Sequence, residues 1–227
     1  MPRTHFQQEL LRLRDEILIM ASMVQQQLAD AVDGLSKADL EAATRIIAQD
    51  MEINRKRFLL EDETLALIAT QAPMAGDMRF LAGCLEVVSE LERIGDYAKG
   101  ISRISLMLGR DSGVVMPEHL EEMCELAISM LRDAIDAFVS GNLTAAREIP
   151  QRDDLVDTLY NKTNIDLIQL IMDEPHKMAR ANLFSWAAHN IERTGDRSTN
   201  ICERTIYMVT GEMGELDRSE EALSGLN

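Results

Sequence analysis

Aromatic residues are scarce in this sequence: one Trp, three Tyr and five Phe account for 4% of 227 residues. With β-branched residues also few, the side chains that favour pleated surfaces are missing, which excludes a strand-rich sandwich or barrel. Basic residues are outnumbered, 23 Lys and Arg against 39 Asp and Glu, leaving a formal charge of -16 at pH 7. Such a chain repels a phosphate backbone, so DNA and RNA are excluded as partners and cationic or protein surfaces are favoured. Cysteine is nearly absent. Cys84, Cys124 and Cys202 have neither CxxC nor zinc-finger spacing, so reduced structural thiols are expected rather than a disulfide framework or structural zinc. No stretch approaches the roughly 18 apolar residues of a membrane helix, and the start, MPRTHFQQEL, lacks an apolar leader region. A soluble, unsecreted protein is expected.

What is present is helical. Length allows one large or two small domains. Leu10, Leu13, Ile17, Val24, Leu28, Ala31 and Leu35 recur every three or four residues, the spacing of one helix face. Ser36 is the expected N-cap of a second helix, which Leu40, Ala43, Ile46, Ile53, Leu60 and Leu67 carry to about Ala69. TQAPMAGD interrupts it. A third helix follows Pro73 and runs through Leu81, Leu85, Val88, Leu91 and Ile101 to near Gly109, and RDSGVVMP reads as a linker.

The pattern then repeats. Leu40, Ala42, Ala43, Ile46 and Asp50 return as Leu143, Ala145, Ala146, Ile149 and Asp153, an offset of 103. Leu28 and Asp33 return at the same offset as Leu131 and Asp136, while ERIGD at 92–96 returns as ERTGD at 192–196, an offset of 100. The expected fold is all-α: two tandem three-helix bundles related by internal duplication, six long antiparallel helices in all, over 4–109 and 116–211. Residues 212–227 read as a frayed acidic tail. Pro150 is expected to bend the second helix of the second unit, because it removes one backbone hydrogen bond.

The residues that stand out chemically are acids in pairs. Glu92 and Asp96, repeated as Glu192 and Asp196, are four apart and therefore neighbours on one helix face, bordering an apolar stripe. Asp153 and Asp157 form another such pair, matched in the first unit by Asp50 and Asn54. Like charges at this spacing cost a helix roughly 0.2–0.5 kcal/mol, and more where water is excluded, so compensation is required. If the second and third helices of each unit pack antiparallel, four oxygen-bearing side chains meet and suit a hard cation such as Mg, Ca, Mn or iron. Asn200 and Glu203 extend the second oxygen face, which should make the second site the stronger.

The competing reading of the same acids is ion pairing, with Arg93 and Arg193 following each Glu and Arg55, Arg79 and Lys99 close in sequence. Gly95 and Gly195 inside these helices cost about 1 kcal/mol each relative to Ala, for which close helix packing would compensate. His189, three before Glu192, could join a metal shell or belong to bundle packing. The 14 Met residues read as core filling. There is no Gly-rich phosphate loop, no nucleophile elbow and no Cys or Ser with a local base.

ELERIGDYAKGI, HNIERTGDRSTNICERTIYMVTGE, the duplicated units and the Pro before each third helix resemble the PhoU family, accessory proteins of high-affinity phosphate transport, over about 5–212. The resemblance implies acidic E/DxxxD motifs that bind multinuclear metal clusters of iron or other divalent ions such as Mn, Mg or Zn. Carried over, these fall on Asp50, Glu92, Asp96, Asp153, Asp157, Glu192 and Asp196, with Asn54 departing from the pattern. It further implies a cytoplasmic, usually homodimeric negative regulator rather than an enzyme. Such a protein contacts a PstB-type transporter ATPase and a PhoR-type sensor histidine kinase, touches the membrane only through them, and keeps the Pho regulon off when phosphate is plentiful. Two alternatives differ in class. A di-iron carboxylate oxidase would need Glu-x-x-His pairs, which are absent, and a metal-free helical adaptor would use the acids as solvated faces or ion pairs.

Overall fold

The computed structural model describes residues 3–110 and 113–214, and those residues are helical throughout apart from turns and connections. Three long helices open the chain: α1 (Arg3–Ser36), α2 (Leu40–Gln71) and α3 (Ala75–Leu108). The first of these buries all seven positions of its apolar stripe, from Leu10 to Leu35. Its end differs from expectation. Ser36 closes α1 instead of capping α2, and its Oγ donates to Glu121 Oε1 at 2.7 Å. The cap of α2 is Asp39, whose Oδ1 accepts from the backbone N–H of Glu41 and Ala42 at 3.1 and 2.9 Å, satisfying two amides that the helix itself leaves open. Between them Ala38 turns the chain with a positive φ of 51°.

The second unit repeats the plan with one break. α4 (His119–Ser140) and α7 (Met178–Thr210) correspond to α1 and α3, but the helix around Pro150 does not merely bend. It divides into α5 (Leu143–Glu148), a tight turn of 3-10 type over Ile149–Arg152 and α6 (Asp153–Asp173). A proline ring inside a helix clashes with the preceding turn as well as lacking a donor, and here the chain tightens to i, i+3 bonding to accommodate it. The consequence for the site is direct: Asp153 becomes the first residue of α6.

Within each unit the helices run up, down and up. α2 packs on α1 and α3, and α6 packs on α4 and α7. The units are joined by α3 against α7 and α1 against α4, so that one layer has the order α2, α3, α7, α6 and the other holds α1 and α4. The apolar core is continuous across this join. Phe138 of α4 stacks on Phe80 of α3 with ring centroids 5.7 Å apart, and its ring lies where a side chain at Gly83 would have to go. Burying an aliphatic or aromatic side chain of this kind contributes roughly 1.5–3 kcal/mol, which locks the relative position of the units far more firmly than surface charges do. No helix among the described residues is long and apolar enough to cross a membrane. The three cysteines are buried thiols, and loss of hydration pushes Cys124 and Cys202 up to about 12, which makes them poor nucleophiles at neutral pH. Of the expected acidic tail, residues 215–227 lie outside the described residues.

Candidate functional site

The acids gather on two seams, one between α2 and α3 and one between α6 and α7. On the first seam, Asp50 is 2% exposed, deep enough that an unmatched charge there would cost several kcal/mol. Its Oδ2 accepts from Lys99 Nζ at 2.6 Å and from Asn54 Nδ2 at 3.0 Å. Lys99 also stands 3.5 Å from Asp96 Oδ1, so one ammonium lies against two carboxylates carried by two helices. The hydrogen bond to Asp50 pushes the Lys99 pKa above its usual value in spite of the opposing cost of burial. Glu92 is matched as well, with Oε1 3.1 Å from Nη1 of Arg57, which also donates through Nε to Glu61 at 2.9 Å.

The structure brings Asp50, Glu92 and Asp96 to one seam, and of the expected cations Lys99 takes part. Arg55 pairs instead with Glu52 at 3.7 Å, and Arg79 donates to the carbonyl of Met208 at 3.0 Å. Arg57 escaped the sequence reading, although a signal existed: Asp50, Asn54 and Arg57 follow at i, i+4 and i+7 and therefore share a face. Gln27 escaped it too. It reaches in from α1, is 7% exposed, and donates through Nε2 to the carbonyl of Ile46 at 3.2 Å.

The second seam has the same acids and different neighbours. Asp157 stands where Asn54 stood, Tyr160 where Arg57 stood and Thr199 where Lys99 stood, by the offsets of 103 and 100. Asp153, 1% exposed, lays its carboxylate directly over Gly195, where a Cβ would overlap Oδ1. The glycine in α7 is therefore required by a close helix approach, and what approaches is the carboxyl group of Asp153. In the first unit the corresponding Gly95 faces the methyls of Ile53, 3.2 and 3.3 Å from an added Cβ. Glu192 completes the set. Burial first, and then the nearby charges of Asp196, Asp157 and Asp153, push its pKa up to about 7 against the opposing pull of Arg193. Its Oε2 lies 3.2 Å from His189 Nδ1, and the His189 ring tilts against Tyr160 with centroids 6.2 Å apart.

Among the described residues, no three His, Cys, Asp or Glu side chains stand together at ligating geometry. Chemically, however, the second seam offers an all-oxygen donor set of high negative charge, with Asp153 seated in a cradle that any side chain at position 195 would fill. Such a set suits a hard cation with oxygen preference. The first seam fits one poorly, because its deepest carboxylate is already engaged by an ammonium and Asn54 turns its NH2 toward Asp50. Asn200 is half-buried on α7, and Glu203 borders a surface hollow with Arg204 and Tyr207.

The PhoU domain family matches this chain twice, at residues 17–105 and 120–205. The phosphate-specific transport system accessory protein PhoU homolog of Clostridium acetobutylicum is 34% identical over 218 residues, covering 96% of this chain and 100% of that protein. The phosphate-specific transport system accessory protein PhoU of Escherichia coli K12 is 32% identical over 207 residues, covering 91% of this chain and 86% of its own length. The crystal structure of the phosphate transport system regulatory protein PhoU from Streptococcus pneumoniae superposes with a TM-score of 0.87 at 31% identity, covering 93% of this chain and 100% of that one.

Proposed function

This chain belongs to the PhoU family, and from that premise we propose that it is a non-enzymatic accessory and regulatory component of phosphate transport. It acts in the cytoplasm as a homodimer that restrains phosphate uptake and the phosphate-starvation response. The restraint works by contact with the transporter ATPase of the PstB type and the sensor kinase of the PhoR type. What supports this reading is the match along both units to proteins named as accessory or regulatory proteins of phosphate transport, with the same helical fold. The absence from the sequence of a phosphate loop or an activated nucleophile agrees with a role in protein contact.

The second seam is the part of the molecule that would hold a metal. Asp153, Asp157, Glu192 and Asp196 are its ligands in this reading, with His189 at the edge. A divalent or trivalent cation held there, iron or Mn, Mg or Zn, would supply positive charge to offset these acids. The side chains do the rest. Asp153 presents its carboxylate from the first turn of α6, Gly195 leaves the room for it, and Glu192, whose pKa burial and then the neighbouring acids push up to about 7, would have to be deprotonated to ligate.

Deleting the gene and assaying alkaline phosphatase in phosphate-replete cells tests the regulatory role. High constitutive activity is expected. Full repression in the deletion strain would reject it.

A further inference from the structure

The duplication invites the assumption that both units take metal, and the first unit's geometry speaks against it. We infer that Lys99 is the resident cation of the first unit: its ammonium holds the place between Asp50 and Asp96, so this unit takes up no divalent cation while Lys99 is present. Three observations converge. Asp50 has the deepest carboxylate of the seam, and its Oδ2 is already in contact with Nζ at 2.6 Å. Arg57 engages Glu92, the carboxylate that a metal would need from α3 one turn before Asp96. Asn54, where the second unit has Asp157, directs its NH2 at Asp50 and contributes no negative charge.

A divalent ion entering here would have to expel a tethered ammonium from a buried carboxylate. Tethering matters because Lys99 is held on the same helix as Asp96 and is present at the site at all times, whereas a metal must be recruited from solution. The first unit is thus bolted across α2 and α3 by the chain's own charges. This holds whether or not the second unit is ever filled.

The test separates the two units. In the variant Glu192→Gln with Asp196→Asn, which weakens the second seam, Mn2+ is counted by equilibrium dialysis with elemental analysis and by the Mn2+ paramagnetic resonance signal. With Lys99 present this variant is expected to hold no Mn2+ at the first seam. Adding Lys99→Met should bring uptake of roughly one ion per chain, abolished again by Asp50→Asn. Lys99→Gln, which keeps a hydrogen-bond donor for Asp50 without the charge, serves the same purpose if the Met variant does not fold. The inference is overturned if the Lys99-containing variant binds Mn2+ that Asp50→Asn removes, or if a helical Lys99 variant binds none. Failure of the unaltered chain to bind Mn2+ at all would count against the second-unit metal reading alone.

Discussion

The two acidic seams descend from one pattern and solve the same electrostatic problem in opposite ways. Between α2 and α3, Lys99 and Arg57 bring positive charge to Asp50, Asp96 and Glu92 from within the chain. Between α6 and α7 the matching positions are Thr199 and Tyr160, and burial, followed by the charges of Asp196, Asp157 and Asp153, pushes the Glu192 pKa up to about 7. The difference teaches that duplicated acids need not mean duplicated function. One copy is crossed by ion pairs from Lys99 and Arg57, while in the other burial and neighbouring acids raise the Glu192 pKa.

The comparison is broken most severely by Lys99→Met, which strands Asp50 without its ammonium. A loss of about 3 kcal/mol is expected in chemical denaturation, at the lower end for a buried pair because Lys99 is 22% exposed. Combining it with Asp50→Asn should restore most of the stability. If the single variant were as stable as the parent, the first seam would not be an ion-pair lock.

Next in size comes the exchange of glycines. Gly195→Ala drives a Cβ into the Asp153 carboxylate, which at 1% exposure has little room to yield, and a loss of about 1–3 kcal/mol follows together with weaker metal uptake. Gly95→Ala meets Ile53 methyls and, at ordinary contact distance, the Gln27 side-chain oxygen, and its gain in helix propensity of about 1 kcal/mol offsets the tight contact, leaving stability nearly unchanged. Equal effects at the two positions would mean that Asp153 is not what requires the glycine.

A smaller effect is the pH dependence of the second seam. Glu192 titrates at about 7 in the folded protein against 4.5 unfolded, so the native state holds the extra proton in between. Metal-free stability should therefore fall as pH rises through that window and level off above 7. The contribution is on the order of 1–2 kcal/mol after solvent screening. Denaturation curves of the parent and Glu192→Gln should diverge between those pH values, with the slope reduced in the variant. Cation affinity should climb over the same range as the competing proton leaves. The smallest change is Asn54→Asp, which removes the hydrogen bond to Asp50 and adds a like charge one turn away, for about 1 kcal/mol in urea denaturation. It should not create metal binding while Lys99 remains.

Much of the fold was legible along the chain because the apolar period of 3.6 residues is a local property and the offset of 103 is read from the chain alone, and the residues the period selected, from Leu10 to Leu35 and from Leu81 to Ile101, line the core or its edge. The boundaries were less so. Ser36 and Asp39 are both good caps by type, and what chose Asp39 was the left-handed turn at Ala38, a backbone event that composition does not encode. Pro150 was visible as a disturbance, but whether a helix bends or divides depends on what packs beside it. At the sites, the acids were legible and their counter-charges only partly. Lys99 was among the candidates, whereas Arg57 shares a face with Asp50 yet was not connected with Glu92.

By itself, then, the sequence determined helices, their apolar faces and the grouping of acids four apart, because each follows from intervals within one helix, and the duplication, because it is a comparison of the chain with itself. The tertiary structure alone decided that Lys99 meets Asp50, that Arg57 meets Glu92 and that Asp153 comes to rest on Gly195. Those pairings depend on how far one helix slides and turns against its neighbour. That register is set by the interlocking of side chains such as Ile53, Val156 and Phe138 in a close-packed interior, and no spacing along a single helix contains it.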